Sequence, residues 1–191
     1  VQMNERVQAL KTSPLPQTFS QPYLLPDAIY WKVKAERAMG GSSAVTREQW
    51  SKDLDLAVLS LARNKAALFD LLRIHAAASV PLIGMVTRLT RQKGIDLLPE
   101  VLPKLLQERD VRFVALGSGE TQYERFMHEL QQQFPGRVVF YTGYSEELAH
   151  FIEAAADIFL MPSLYEPCGL NQLYSLKYGT VPVVRRTGGL A

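Results

Sequence analysis

The sequence predicts an α/β protein whose residues 80–191 form a Rossmann-like, doubly wound parallel sheet. Two observations carry this. Short segments that are apolar almost throughout read as strands buried on both faces: "VPLIGMVTRL" (80–89), "VRFVAL" (111–116), "RVVFYTG" (137–143), "DIFLMPS" (157–163) and "TVPVVR" (180–185). Between them lie longer segments of helical period. Strands that alternate regularly with helices build a parallel sheet covered on both sides.

Residues 1–45 do not share this pattern. Prolines at 14, 16, 22 and 26, then "MGGSS" at 39–43, interrupt any period, so this stretch reads as a linker or irregular arm. A connecting amphipathic helix is expected over 46–75. Thr46 and Gln49 have the spacing of a capping box, and Trp50, Leu54, Val58, Leu61, Leu68 and Leu72 fall on one helical face. In the sheet region the first helix is expected over 94–109, weakened by Pro99 and Pro103, and the second over 120–134. The third, 145–156, can be capped by Ser145 and carries acids in its first turn; the fourth spans 169–179. No internal repeat is visible.

Bulk properties exclude several classes. Of 191 residues 47% are hydrophobic and 21% charged, ordinary for a globular chain. A net charge of +2 gives no argument for nucleic acid or a membrane surface. The single cysteine cannot form an internal disulfide, which suits a reducing compartment. No run approaches the ~18 apolar residues of a membrane span. The start, "VQMNERVQAL", lacks both the layout of a secretory signal and an initiator methionine, so the chain is expected to be a fragment.

Ligands of such sheets bind beyond the carboxyl ends of the strands, so the segments after each strand hold the candidate chemistry. After the first comes "RLTRQKG". Arg88 and Lys93 can clamp a diphosphate there, or form a solvated basic turn. After the second comes "LGSGET", an incomplete dinucleotide fingerprint with Gln122 in the place of its third glycine; a tight strand-to-helix turn accounts for it better. After the third, Tyr144 can offer a flat face to a base or pack on the following helix. After the fourth comes "MPSLYEPCGLNQLYSLKYG" (161–179). A helix starting near Gly169 presents unpaired N–H groups to an anion, and Glu166 stands where a carboxylate can accept hydrogen bonds from sugar hydroxyls. Alternatively Glu166 is only an acid at a helix N-terminus. Cys168 has no neighbouring histidine in sequence and reads as a small, buried, weakly polar lining residue; His75, His128 and His150 fall in expected helices as surface or packing residues.

These residues resemble a known family. "RLTRQKGIDLL", "GSGE" and "GYSEELAHFIEAAADIFLMPSLYEPCGLNQLYSLKYGTVPVVRRTGGLA" are similar to the donor-binding half of bacterial glycogen synthases and plant starch synthases. Those are family five glycosyltransferases of the GT-B fold. The resemblance runs from about Leu82 to Ala191 and extends weakly to "ARNKAALFDLL" (62–72). It implies transfer of glucose from ADP-glucose to the non-reducing end of an α-1,4-glucan with retention, in a bacterial cytoplasm or a plastid. Arg88 and Lys93 match the pair that holds the diphosphate, Tyr144 the aromatic beside adenine, and Glu166 the carboxylate at the transferred glucose. Cys168, Gly169 and Leu170 match the loop that holds glucose hydroxyls and phosphate through its N–H groups. Asn171 replaces a common Thr beside the nucleotide, and Thr187, Gly188 and Gly189 match a glycine-rich loop near it. Tyr174 stands where related families have a second Glu.

No cofactor is expected, and no metal if the fixed cations stabilise the leaving group; no Cys/His cluster has metal spacing. The D-x-D at Asp53–Asp55 reads instead as part of a solvated helix face. The family's first half, with its Lys-x-Gly-Gly loop and most glucan contacts, has no match here, so the chain is expected to supply the donor site and to be inactive alone. Competing readings are a GT-B enzyme using UDP- or GDP-sugar, a non-catalytic nucleotide-binding module, and a nicotinamide oxidoreductase. The EPCG and LKYG strings oppose the first, and the incomplete glycine fingerprint opposes the last.

Overall fold

The computed structural model describes residues 61–191. The arm at 1–45, the capping box, Trp50, Leu54, Val58 and the D-x-D lie outside the described residues. From 61 the chain is helical to residue 72 (α1). Five strands follow: β1 (Leu82–Val86), β2 (Arg112–Gly117), β3 (Val138–Thr142), β4 (Ile158–Met161) and β5 (Val181–Val184). Between them run α2 (Leu98–Glu108), α3 (Thr121–Gln133), α4 (Glu146–Ala155) and α5 (Leu170–Tyr178).

All strands pair in parallel, in the order β3-β2-β1-β4-β5. Alternate residues serve opposite faces. Leu82, Val114, Leu116, Val139 and Phe159 pack with Leu68 and Phe69 of α1 and with Phe151 and Ile152 of α4. Ile83, Met85, Phe113, Ala115 and Phe140 pack on the other face with Leu98, Leu102 and Leu106 of α2 and Met127 and Leu130 of α3. Two cores, one per face, explain why the strands read as continuous apolar runs. Gly84 lets α4 lie close to β1: a Cβ there would stand 2.7 Å from Ile152 Cγ2.

The expected α/β class and every element of the sheet region are present; β2 keeps its expected length one position later, and the other strands are two to five residues shorter than their readings. Two details differ. The helix expected from 94 begins at Leu98, because Gly94 takes a left-handed conformation (φ 72°) between two 3-10 turns, Arg91–Lys93 and Ile95–Leu97. Pro99 then falls in the first helical turn, where an N–H has no partner anyway, and Pro103 is tolerated inside the helix. His75 is not helical, since α1 stops at 72 and Arg73 turns the chain with φ 56°. The Ser145 cap is present: its Oγ accepts the Leu148 N–H at 3.3 Å.

Candidate functional site

β1 and β4 are neighbours, with Gly84 opposite Phe159. Beyond their carboxyl ends the chain departs to opposite faces, to α2 from β1 and to α5 from β4. That divergence opens a crevice at the point where strand order reverses. Arg88, Lys93, Ser163, Glu166, Gly169 and Asn171 all line it, together with Val86, Thr87, Leu160, Met161, Pro162 and Leu170.

The crevice is built from close backbone contacts. Leu164 N–H donates to Gln92 O at 2.9 Å, and Gln92 Nε2 donates to Tyr165 O at 3.2 Å, which fastens the turn carrying Lys93 to the loop carrying Glu166. Gly94 makes this approach possible: any Cβ would lie 2.1 Å from Pro162 O. Lys93 Nζ consequently meets Glu166 Oε2 in a direct ion pair. Ser163 Oγ donates to the same oxygen at 3.2 Å. Both charged side chains are largely shielded from water, 16% exposed for Lys93 and 11% for Glu166, so their field acts through little solvent screening. Arg88 is exposed at the mouth.

The floor is the start of α5. Gly169, in a left-handed conformation (φ 70°), caps a nine-residue helix with no acid in its first turn. Its leading N–H groups therefore add partial positive charge to that of Arg88 and Lys93. Asn171 Nδ2 donates to Val86 O at 3.3 Å, tying the helix start to the end of β1. An anion entering the crevice meets cations, oriented N–H groups and one carboxylate.

The structure thus brings together Arg88, Lys93, Glu166, Gly169, Leu170 and Asn171. It does not bring Tyr144 to the crevice lining; that side chain, 77% exposed, lies beyond β3, two strands away from β1. Cys168, expected as a small buried lining residue, is instead exposed beside the crevice, because it precedes the helix start at Gly169 on the outer side of the loop, and Thr187, Gly188 and Gly189 stand behind the Glu166 loop, outside the lining. Sequence reasoning missed Ser163 and Thr87. The position of Ser163 just past the end of β4 was its available signal.

The GSG turn serves packing. A Cβ at Gly117 would lie 1.9 Å from Thr87 O, and one at Gly119 2.1 Å from Leu89 O. The Gly119 N–H is taken by Glu124 Oε1 at 2.8 Å and that of Glu120 by Leu89 O at 2.8 Å. The turn braces the Arg88 loop, with the Gly119 and Glu120 N–H groups already engaged. Among the described residues no three His, Cys, Asp or Glu side chains come together, and no described helix is long and apolar enough to cross a membrane.

A crevice lined by two cations, a carboxylate and a helix start, at the switch point of a doubly wound sheet, defines the general class of site. Residues 73–191 match the family described as glycosyl transferases group 1, and the chain belongs to that family. It is 54% identical over 132 residues to a glycogen synthase of Hydrogenovibrio crunogenus, which covers 68% of this chain and 27% of that protein. It is 44% identical over 187 residues to a glycogen synthase of Cellvibrio japonicus, covering 91% of this chain and 39% of that one. Among solved structures it resembles the catalytic domain of starch synthase IV from Arabidopsis thaliana bound to ADP and acarbose. That match has a TM-score of 0.63 and 39% identity, over 69% of this chain and 27% of the other. The sucrose-phosphate synthase of Thermosynechococcus elongatus matches with a TM-score of 0.53 and 26% identity, over 68% of this chain and 32% of the other. The chain spans well under half the length of these relatives. The fold is the Rossmann-like layer of a GT-B glycosyltransferase, and the resemblance to glycogen and starch synthases stands.

Proposed function

We propose that the crevice is the ADP-glucose site of a glycogen or starch synthase. The whole enzyme would transfer glucose to the non-reducing end of an α-1,4-glucan with retention, in a bacterial cytoplasm or a plastid. The carrying observation is the convergence of Arg88, Lys93, Glu166 and the α5 start on one crevice. Identity to glycogen synthases, and to a starch synthase whose solved form holds ADP, favours an adenine nucleotide over UDP or GDP.

The chemistry follows from the charges. Breaking the bond to glucose leaves negative charge on ADP and positive character on the sugar. Arg88, Lys93 and the first N–H groups of α5 stabilise the departing diphosphate. Fixed cations do this work in our reading, without a resident metal. Glu166 faces the glucose and accepts its hydroxyls. Lys93 is paired with Glu166, so the same ammonium stands between the carboxylate at the sugar and the place of the diphosphate and can serve both. The glucan and most of its contacts belong to the other GT-B half, and the chain alone should not elongate glucan.

Calorimetric titration of ADP-glucose into the wild-type chain and Lys93→Ala tests the reading. Loss of a charged contact to phosphate should weaken binding by about 10- to 100-fold. Equal affinities would remove Lys93 from the diphosphate site, and a UDP-glucose affinity above that for ADP-glucose would remove the nucleotide assignment.

A further inference from the structure

Glu166 reaches the crevice only if its own main chain is held in place, and the structure shows what stands behind it. After β5 the chain passes Arg185 and Arg186, extends at Thr187 and closes a 3-10 turn at Gly188–Leu190. Each residue of that turn touches the Glu166 loop. Gly189 N–H donates to Glu166 O at 2.8 Å, and Thr187 Oγ1 donates to Leu164 O at 3.3 Å. Gly188 has φ 49°, and a Cβ on it would lie 2.3 Å from Glu166 O; one on Gly189 would lie 2.4 Å from Cys168 O. Leu190 anchors the turn in the core beside Gly169, whose own Cβ would stand 2.7 Å from Leu190 Cδ2. None of residues 187–189 lines the crevice.

We infer that Thr187, Gly188 and Gly189 form a positioning strap that holds the carbonyl side of Glu166 so that its carboxylate faces the sugar. This deepens the donor-site reading and rests on it. Two glycines are required because main chain lies against main chain, with no space for a side chain between. The strap acts on the sugar end of the site. Arg88 sits on a loop braced by the GSG turn, and the start of α5 is tied to Val86 by Asn171, while the Lys93 turn is fastened to the Glu166 loop through Leu164 and Tyr165. Loosening the strap therefore moves the Glu166 carboxylate relative to Arg88 and the α5 start, the groups that hold the nucleotide end in this reading.

The test compares the affinity of the chain for ADP and for ADP-glucose, the ratio of the two being the increment contributed by the sugar. Thr187→Val removes one hydroxyl and keeps the shape; Thr187→Ser restores the hydroxyl; Gly188→Ala pushes directly on Glu166 O. Thr187→Val and Gly188→Ala should each lower the ratio by about threefold or more, and Thr187→Ser should keep it near the wild-type value. Should Gly188→Ala fail to fold, the threonine pair decides alone. If ADP and ADP-glucose weaken together, the loop contacts the nucleotide directly and the strap is wrong. An unchanged ratio in Thr187→Val also overturns it. Hydrogen exchange supplies an arm that needs no ligand: the Gly189 amide should exchange at least about threefold faster in Thr187→Val. A wild-type chain that binds neither compound sinks the donor-site reading, while the exchange arm still decides whether the strap holds Glu166.

Discussion

The two ends of the sheet each hold a lysine–carboxylate pair, and the pairs serve different ends. At the amino end Lys65 of α1 is 7% exposed and donates to Asp157 Oδ1 at 2.8 Å, to Oδ2 at 2.6 Å and to Val80 O at 3.3 Å. Asp157 Oδ2 also accepts the Leu82 N–H at 2.6 Å. Every proton of that ammonium has an acceptor, and the pair clasps α1 to the starts of β1 and β4. At the carboxyl end Lys93 and Glu166 meet through a single oxygen, helped only by Ser163, and they open onto a crevice containing Arg88 and the α5 start. A pair saturated with local partners is structural. A pair with capacity left over, placed where other charges converge, can take a ligand.

The largest blow to this comparison is aimed at Gly94, which lets the Lys93 turn reach the end of β4. Gly94→Ala places a methyl group against Pro162 O and forces a left-handed alanine, so it should cost about 3 kcal/mol of stability and nearly abolish donor binding. A denaturant titration that finds the variant as stable as wild type would mean the two loops are held by something else. Lys65→Ala comes next. Asp157 is 45% exposed, so water can rescue part of the abandoned carboxylate, and a loss of about 2 kcal/mol is expected rather than the larger figure for a fully buried pair. ADP-glucose affinity, measured where the protein is folded, should stay within about twofold of wild type. A large affinity loss would erase the division between a clasping end and a binding end.

Much of this was legible in sequence because it is periodic or local. Continuous apolar strands, helical spacing and the Ser145 cap need only neighbours along the chain. Arg88, Lys93, Glu166 and Gly169 were found by searching past the ends of strands, a rule that turns topology into position. What escaped was set by contacts between distant segments. Nothing local says that the glycines at 117 and 119 accommodate the main chain of Thr87 and Leu89, or that Gly188 lies against Glu166. Pro99 suggested a weak helix because the left-handed turn at Gly94 that starts the helix later was not visible. Tyr144 was named from its place after a strand and from the resemblance; it follows β3, an edge strand two positions from β1, and stands outside the crevice lining.

A third carboxylate sharpens the contrast, because its partner need not be charged. Glu153 of α4 is only 2% exposed and meets His150 Nδ1 at 3.1 Å, with the rings of Tyr174 and Tyr178 edge-on to that histidine. Burial pushes the Glu153 carboxyl above its usual value of 4.5, and His150 opposes the rise without cancelling it. Between the unfolded and the folded value the folded chain therefore holds a proton that the unfolded chain has released. Stability from this group is complete below the unfolded value and falls as pH rises through the folded one. Glu153→Gln keeps the shape and removes the titration. Relative to that variant, the wild type should lose a few °C of thermal midpoint as pH climbs from about 4 toward neutrality. Parallel melting curves across that range would mean that the His150 contact fully offsets the burial of the Glu153 carboxyl, so that a single neutral-or-charged partner suffices where burial alone would protonate the acid.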